Sequence, residues 1–161
     1  WNILHAPSAV EYLVLEPQGG GDRGTYRWTT NKNEARDSAK RYYPFSEGLD
    51  VYRNQLFMTT KVKKELFILD LDRMTYEKKS TRSGVFDGEP DQVARIVGDG
   101  LLYFCEENGR KNGVHARDQN GWFFTVLESD GFNDETTGLA FSPDAKHMYV
   151  SFQHTGMIFD L

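Results

Sequence analysis

The sequence predicts an all-β fold, a partial β-propeller of about three and a half four-stranded blades. Three observations lead there. Fifteen Gly, eleven Phe, eight Tyr and three Trp among 161 residues favour short strands and tight turns over long helices. Short apolar strands that open on an acidic residue recur at a fixed interval: Glu47-Gly-Leu-Asp-Val51, Asp91-Gln-Val-Ala-Arg-Ile96 and Glu135-Thr-Thr-Gly-Leu-Ala-Phe141 start 44 residues apart. The strands that follow them carry an aromatic second residue, Phe57, Tyr103 and Tyr149, each 46 residues from the one before. A period in the mid-forties with four strands marks a propeller blade, because such a sheet buries both faces only when stacked between neighbours.

Taken in order, Glu11-Tyr-Leu-Val-Leu-Glu16 and Thr25-Tyr-Arg-Trp-Thr29 read as strands, and the glycines of Pro17 to Gly24 read as the turn of a hairpin. Asn31 to Lys40 is polar, with a turn of helix or a loop both open, centred on Asn33 to Lys40. Each repeat then adds a second strand (Leu56 to Thr60, Leu102 to Glu106, Met148 to Phe152) and a third (Glu65 to Asp70, Gly113 to Arg117, Gly156 to Asp160). A fourth follows at Trp122 to Leu127, with Tyr76 to Thr81 as its weaker counterpart. Residues 1–161 therefore read as one partial domain with blade remnants at 11–29, 47–81, 91–127 and 135–161. The chain opens on Trp1 rather than Met, which reads as processing or a fragment. The missing blades are expected from the rest of a longer polypeptide or from a partner protein. Without them, apolar faces around Trp28, Phe141 and Phe159 are expected to make the isolated chain aggregate.

Composition excludes several classes of function. Nineteen basic against twenty-four acidic residues give a net charge of −5, and the longest basic run is the short Lys61-Val-Lys-Lys64, so nucleic acid is not an expected partner. A mean hydropathy of −0.61 and the lack of an apolar run near 18 residues leave no membrane span. A single Cys, Cys105, allows no internal disulfide and no multi-Cys zinc site. There is no Gly-x-Ser-x-Gly elbow, and Gly19-Gly-Gly-Asp22 lacks the Gly-Lys-Ser/Thr of a phosphate loop.

The innermost strand of each blade lines the central channel, so acids at one repeat phase project toward one axis. Glu47, Asp91 and Glu135 meet that condition. Converging carboxylates repel unless a cation neutralises them, and hard oxygen ligands suit calcium, magnesium, manganese or ferric iron. The plainer alternative is that each acid satisfies a turn or faces water. Glu106, beside Cys105, is a further candidate ligand; its alternative is a solvated loop carboxylate. Cys105 reads better as a small buried hydrophobe than as an iron ligand. His5, His115, His147 and His154 lack metal-binding spacing and read as structural. Arg95 and Lys61 lie near strand ends at the channel and could each hold a phosphate, with surface solvation as the simpler role.

Glu135-Thr-Thr-Gly-Leu-Ala-Phe-Ser-Pro-Asp144, continued by His147-Met-Tyr-Val-Ser-Phe-Gln153 and Gly156, resembles the PhoX family of alkaline phosphatases. Glu47-Gly-Leu, Pro90-Asp91 and Leu102-Tyr-Phe-Cys-Glu106-Glu107 match further elements of that family in the same order, so the resemblance spans roughly 11–161. Glu107-Asn108 departs from the family's Asp-Gly, and Ala145 from its turn glycine. The resemblance implies a six-bladed propeller, an axial site of calcium and iron, and hydrolysis of phosphate monoesters. It also implies export, to a periplasmic, secreted or organelle-lumen location. Glu47, Glu106 and Glu135 would then be ligands and catalytic residues, with Asp91 supporting them. Two other readings are carried. One is a calcium-dependent lactonase of the gluconolactonase type; the other is a catalytically silent propeller serving as a binding or scaffold subunit.

Overall fold

The computed structural model describes residues 10–84, 86–96, 98–131 and 133–161, which leaves His5 outside the described residues. The hairpin expected at the start is present as β1 (Tyr12–Gln18) and β2 (Arg23–Thr29), paired antiparallel with Leu15 opposite Tyr26. The polar stretch after it is a full helix, α1 (Lys32–Tyr42). Asn31 starts that helix because its Oδ1 accepts from the amides of Asn33 (3.2 Å) and Glu34 (3.3 Å). Lys40 and Arg41 complement the dipole in its last turn. The helix packs on β1, where the buried Ser38 hydroxyl accepts from the Leu15 amide at 3.0 Å and so satisfies one donor of that edge strand.

Beyond the helix the chain runs in meanders. The first comprises β3 (Ser46–Tyr52), β4 (Gln55–Thr60), β5 (Glu65–Asp70) and β6 (Thr75–Ser80); the second comprises β7 (Glu89–Ala94), β8 (Leu102–Glu107), β9 (Gly113–Arg117) and β10 (Phe123–Glu128). The third comprises β11 (Thr136–Phe141), β12 (Met148–Phe152) and β13 (Met157–Asp160). The strands predicted from the repeat are all there. All pairings are antiparallel, and no sheet closes on itself among the described residues.

The hairpin at 11–29 does not form a sheet of its own. It extends the first sheet to six strands in the order β1-β2-β6-β5-β4-β3. Arg23, Gly24 and Thr25 pair with Glu77, Tyr76 and Thr75, and Tyr26 and Tyr76 share a buried cluster with Leu15, Tyr43, Met58, Phe67 and Leu69. Gly24 is needed there, since a Cβ would sit 2.3 Å from the Glu16 carbonyl oxygen.

In each sheet the first strand of the meander forms one edge: β3, β7 and β11. These edges are neighbours, β3 packing on β7 and β7 on β11. Two apolar clusters weld the layers. Phe57, Leu66 and Ile68 meet Phe86, Val93, Leu102 and Phe104 between the first and second sheets. Tyr103, Cys105, Val114 and Ala116 meet Leu139, Val150 and Phe152 between the second and third. The three edge strands thereby start close together, at one end of the stacked sheets.

Candidate functional site

A register break interrupts each first-to-second strand pairing, between Ser46 and Leu49, between Pro90 and Val93, and between Thr137 and Ala140. Such bulges re-aim side chains at a sheet edge. The first two contain Glu47 and Asp91; the third falls just beyond Glu135. Buried threonines hold the edges in place. The Thr59 hydroxyl accepts from Gly48 N and donates to the Asp91 carbonyl, both at 2.9 Å. That contact needs a glycine, because a Cβ on Gly48 would lie 2.5 Å from Val93 N. The Thr136 hydroxyl accepts from Glu106 N at 2.9 Å and lies 2.7 Å from the Gly113 carbonyl oxygen, tying the third sheet to the second.

The result is a cluster at the inner edges. Lys61, just past β4, forms an ion pair with Glu107 at the end of β8, and its Nζ lies 4.0 Å from Glu47 Oε1. Glu135 accepts from Gln153 Nε2 at 3.0 Å, and its carbonyl oxygen from Gln153 N at 2.9 Å. Asp91 and Glu135 both feel the charges of Glu107 and Lys61. Glu47, Asp91 and Glu135 thus share one electrostatic neighbourhood, with Lys61 among them.

Electrostatics follow from one ammonium facing four carboxylates. Burial pulls the Lys61 ammonium down, but its bond to Glu107 and the fields of Glu107, Glu47 and Glu135 outweigh it and hold the group above its ordinary value. Burial pushes Asp91 up, aided by Glu107 and opposed by a hydrogen bond from Thr137 and by Lys61. Burial also pushes Glu135 up, with Glu107 and Asp91 adding to it and Lys61 and His154 opposing. The cluster therefore offers a fixed cation beside two carboxyl groups that hold protons more readily than ordinary ones, which is the equipment for binding and protonating an oxygen.

Glu107 and Gln153 were not singled out from the sequence. The signal was available: Lys61, Glu107 and Gln153 stand 46 residues apart, four residues past the aromatic landmarks Phe57, Tyr103 and Tyr149. Glu106 is not in the cluster. Its carboxylate is buried under the second sheet, where Oε1 accepts from Gly88 N at 2.6 Å and Oε2 meets His115 Nε2 at 2.8 Å. With the proton on Nε2, His115 Nδ1 accepts from the Thr125 hydroxyl at 3.3 Å, and Phe86 stacks on the ring at 4.5 Å.

Cys105 is fully buried and its thiol is pushed up to about 12, chiefly by burial. Arg95 sits at the opposite end of the sheets, bonded through Nε to Asp50 at 2.9 Å and stacked over Tyr52 and Phe57. His147 pairs with Asp160 at 2.7 Å, and His154 with Asp134 at 2.6 Å. Against the effect of burial, the amide of Thr155 and the ring of His154 hold the Asp134 carboxyl well below its usual range.

The calcium and iron expectation meets this geometry only in part. The excess of negative charge suits a hard cation, yet among the described residues no three His, Cys, Asp or Glu side chains stand close enough to hold one ion. The side chains as placed do not fit a metal, and Lys61 takes the position of the cation between Glu47 and Glu107. No helix among the described residues is long and apolar enough to cross a membrane.

No protein-family model matches the chain, and no curated protein matches it. Among solved structures, one similar to it is a gluconolactonase from Xanthomonas campestris, described as important in glucose secondary metabolic pathways. The two are 14% identical with a TM-score of 0.42, and the match covers 73% of this chain and 57% of that one. The chain thus spans little more than half the length of that structure.

Proposed function

We propose that this chain is part of a β-propeller hydrolase of the PhoX type, acting on phosphate monoesters at the inner-edge cluster. The observation that carries the reading is the arrival of Glu47, Asp91, Glu107 and Glu135 from three separate sheets around Lys61. The ordered Glu-Gly, Pro-Asp, Cys-Glu and Phe-Ser-Pro-Asp elements supply the substrate class. Three stacked meanders with their first strands side by side are what neighbouring blades require. In this reading Lys61 binds a substrate oxygen and Gln153 orients Glu135. Water forms the new bond to phosphorus and loses its proton to one of Asp91 and Glu135, while the other protonates the leaving oxygen as the ester P–O bond breaks. No step is assigned to a metal.

Specific observations favour two other readings. One ammonium against four carboxylates suits a neutral ester better than a phosphate dianion, which favours a lactone. The internal Lys61–Glu107 pair already neutralises part of the site, which favours a silent scaffold. The full-length protein should release phosphate from p-nitrophenyl phosphate. Opening of a sugar lactone without phosphate release would replace this reading with the lactonase. Neither activity, with stable co-purification of another protein, would replace it with the scaffold.

A further inference from the structure

At the opposite end of the first and second sheets lies a cleft of about 560 Å³, within the size range of small-molecule sites. Its walls include Tyr52, Phe57, Arg95, Leu102 and Arg117. It is separated from the inner-edge cluster by the length of β4, roughly 17–20 Å at about 3.4 Å per residue. We propose that this cleft binds a small molecule through an oxyanion group, a phosphate or a carboxylate, held between Arg95 and Arg117.

The donors point to it. Arg95 is nine-tenths buried, with side-chain exposure of 10%, yet its Nη2 is shielded from solvent and has no hydrogen-bond partner. Arg117 Nε is in the same condition. Among the described residues Arg117 has no ion-pair partner, and its hydrogen bond from Nη1 to the Asp118 carbonyl is long, at 3.5 Å. A shielded guanidinium donor without an acceptor is costly, and a ligand oxyanion is the group that would relieve it.

The carboxylates at the cleft do not take that role, because they are committed elsewhere. Glu77 pairs with Lys79 at 3.0 Å. Asp118 accepts from the amides of Asn120 (2.9 Å) and Trp122 (2.8 Å). Asp50 is spent on Arg95 Nε, which also locks that guanidinium between the rings of Tyr52 and Phe57 at 4.6 and 4.7 Å. Arg95 is thereby a rigid, pre-set donor, and Gln55 and Gln119 at the wall add neutral amides for the rest of the ligand. Burial pushes the Arg117 guanidinium down, while Glu77 and Asp118 push it up, so a bound anion would reinforce its charge. None of these residues belongs to the cluster around Lys61, and the proposal stands without the reading of that cluster.

The test is titration of the full-length protein with inorganic phosphate and with acetate, each at ionic strength matched by chloride, followed by calorimetry and by the Nε–H resonances of arginine. One of the two anions should bind and shift the Arg95 and Arg117 resonances; tighter phosphate identifies a phosphate-bearing ligand, tighter acetate a carboxylate. Arg117→Gln should weaken that binding at least tenfold, Arg117→Lys should weaken it less, and Lys61→Gln should leave it unchanged. If Arg117→Gln does not fold, the resonance shifts in the unaltered protein decide. Silence of both resonances toward both anions, or undiminished binding by Arg117→Gln, overturns the proposal; loss of binding in Lys61→Gln alone transfers the anion to the inner-edge cluster.

Discussion

Glu106 and Glu107 are neighbours in β8, yet they serve two regions with opposite logic. Glu106 turns into a dry network in which each oxygen has a partner, the Gly88 amide and the His115 ring, and the ring in turn meets Thr125. Glu107 turns to the inner edge, where it shares one ammonium with Glu47 while Asp91 and Glu135 stand by. The first arrangement is closed and its value is structural, since a satisfied buried network ties β8, β9, β10 and the segment before β7 together. The second is open and over-supplied with negative charge, and there burial, aided by the Glu107 charge, pushes the Asp91 and Glu135 carboxyls up. A carboxylate count alone would not separate them; partner saturation does.

The largest expected effect is on the closed network. Glu106→Ala leaves the Gly88 amide and His115 buried without an acceptor, and should cost about 3–5 kcal/mol of stability in the denaturant midpoint. Glu107→Ala, at a part-exposed pair, should cost about 1 kcal/mol or less. Equal losses would erase the contrast between the two regions. Next is activity. Glu135→Gln should lower hydrolysis by the full-length protein by about 10²-fold or more with little change in melting temperature, as expected of a proton donor. Retention of the full rate would remove the inner-edge cluster as the site.

Much of the fold was legible because successive antiparallel meanders recur at a fixed period, and Glu47, Asp91 and Glu135 share it. The sequence leaves Asn31 to Lys40 open between a turn of helix and a loop, and packing against β1 goes with the full helix. The attachment of the hairpin to β6 was not legible, since it depends on backbone pairing of Arg23 to Thr25, and the glycine that stretch requires is accounted for by β1 alone. Glu107 and Gln153 escaped, although they share a repeat position with the candidate Lys61, because a cation, an acid and an amide do not look like one repeated position. Strand alternation says that Glu106 and Glu107 face opposite ways, but not which way is inward. The arginine cleft was hidden for a similar reason. Arg95 lies just past β7 and Arg117 ends β9, and only packing shows that each keeps a donor unpartnered.

A smaller thermal effect is expected at Cys105. Its thiol, pushed up to about 12 and fully buried in the cluster between the second and third sheets, should resist alkylation at pH 8 until the protein unfolds. Prompt labelling of the native protein would show that these two sheets separate readily. Cys105→Ser should lower the melting temperature by a few degrees, because a hydroxyl replaces a well-packed sulfur.

The smallest effect is a pH dependence read at the open region. Asp91 and Glu135 titrate above their ordinary 3.8 and 4.5 in the folded protein, so the native state binds more protons than the unfolded chain in the window just above those values. Their contribution therefore favours folding at the acid side of that window and is lost as pH rises through the folded values. Lys61 acts at the other end: raised above 10.5, it favours folding below that value, and this is lost as pH climbs through its folded value. Glu107 raises all three groups. Glu107→Gln should therefore bring Asp91, Glu135 and Lys61 back toward their ordinary values together, read by carboxyl and lysine NMR titration. Movement of Lys61 without the two acids would show that burial alone sets the acids, and that the inner-edge groups do not act as one electrostatic unit.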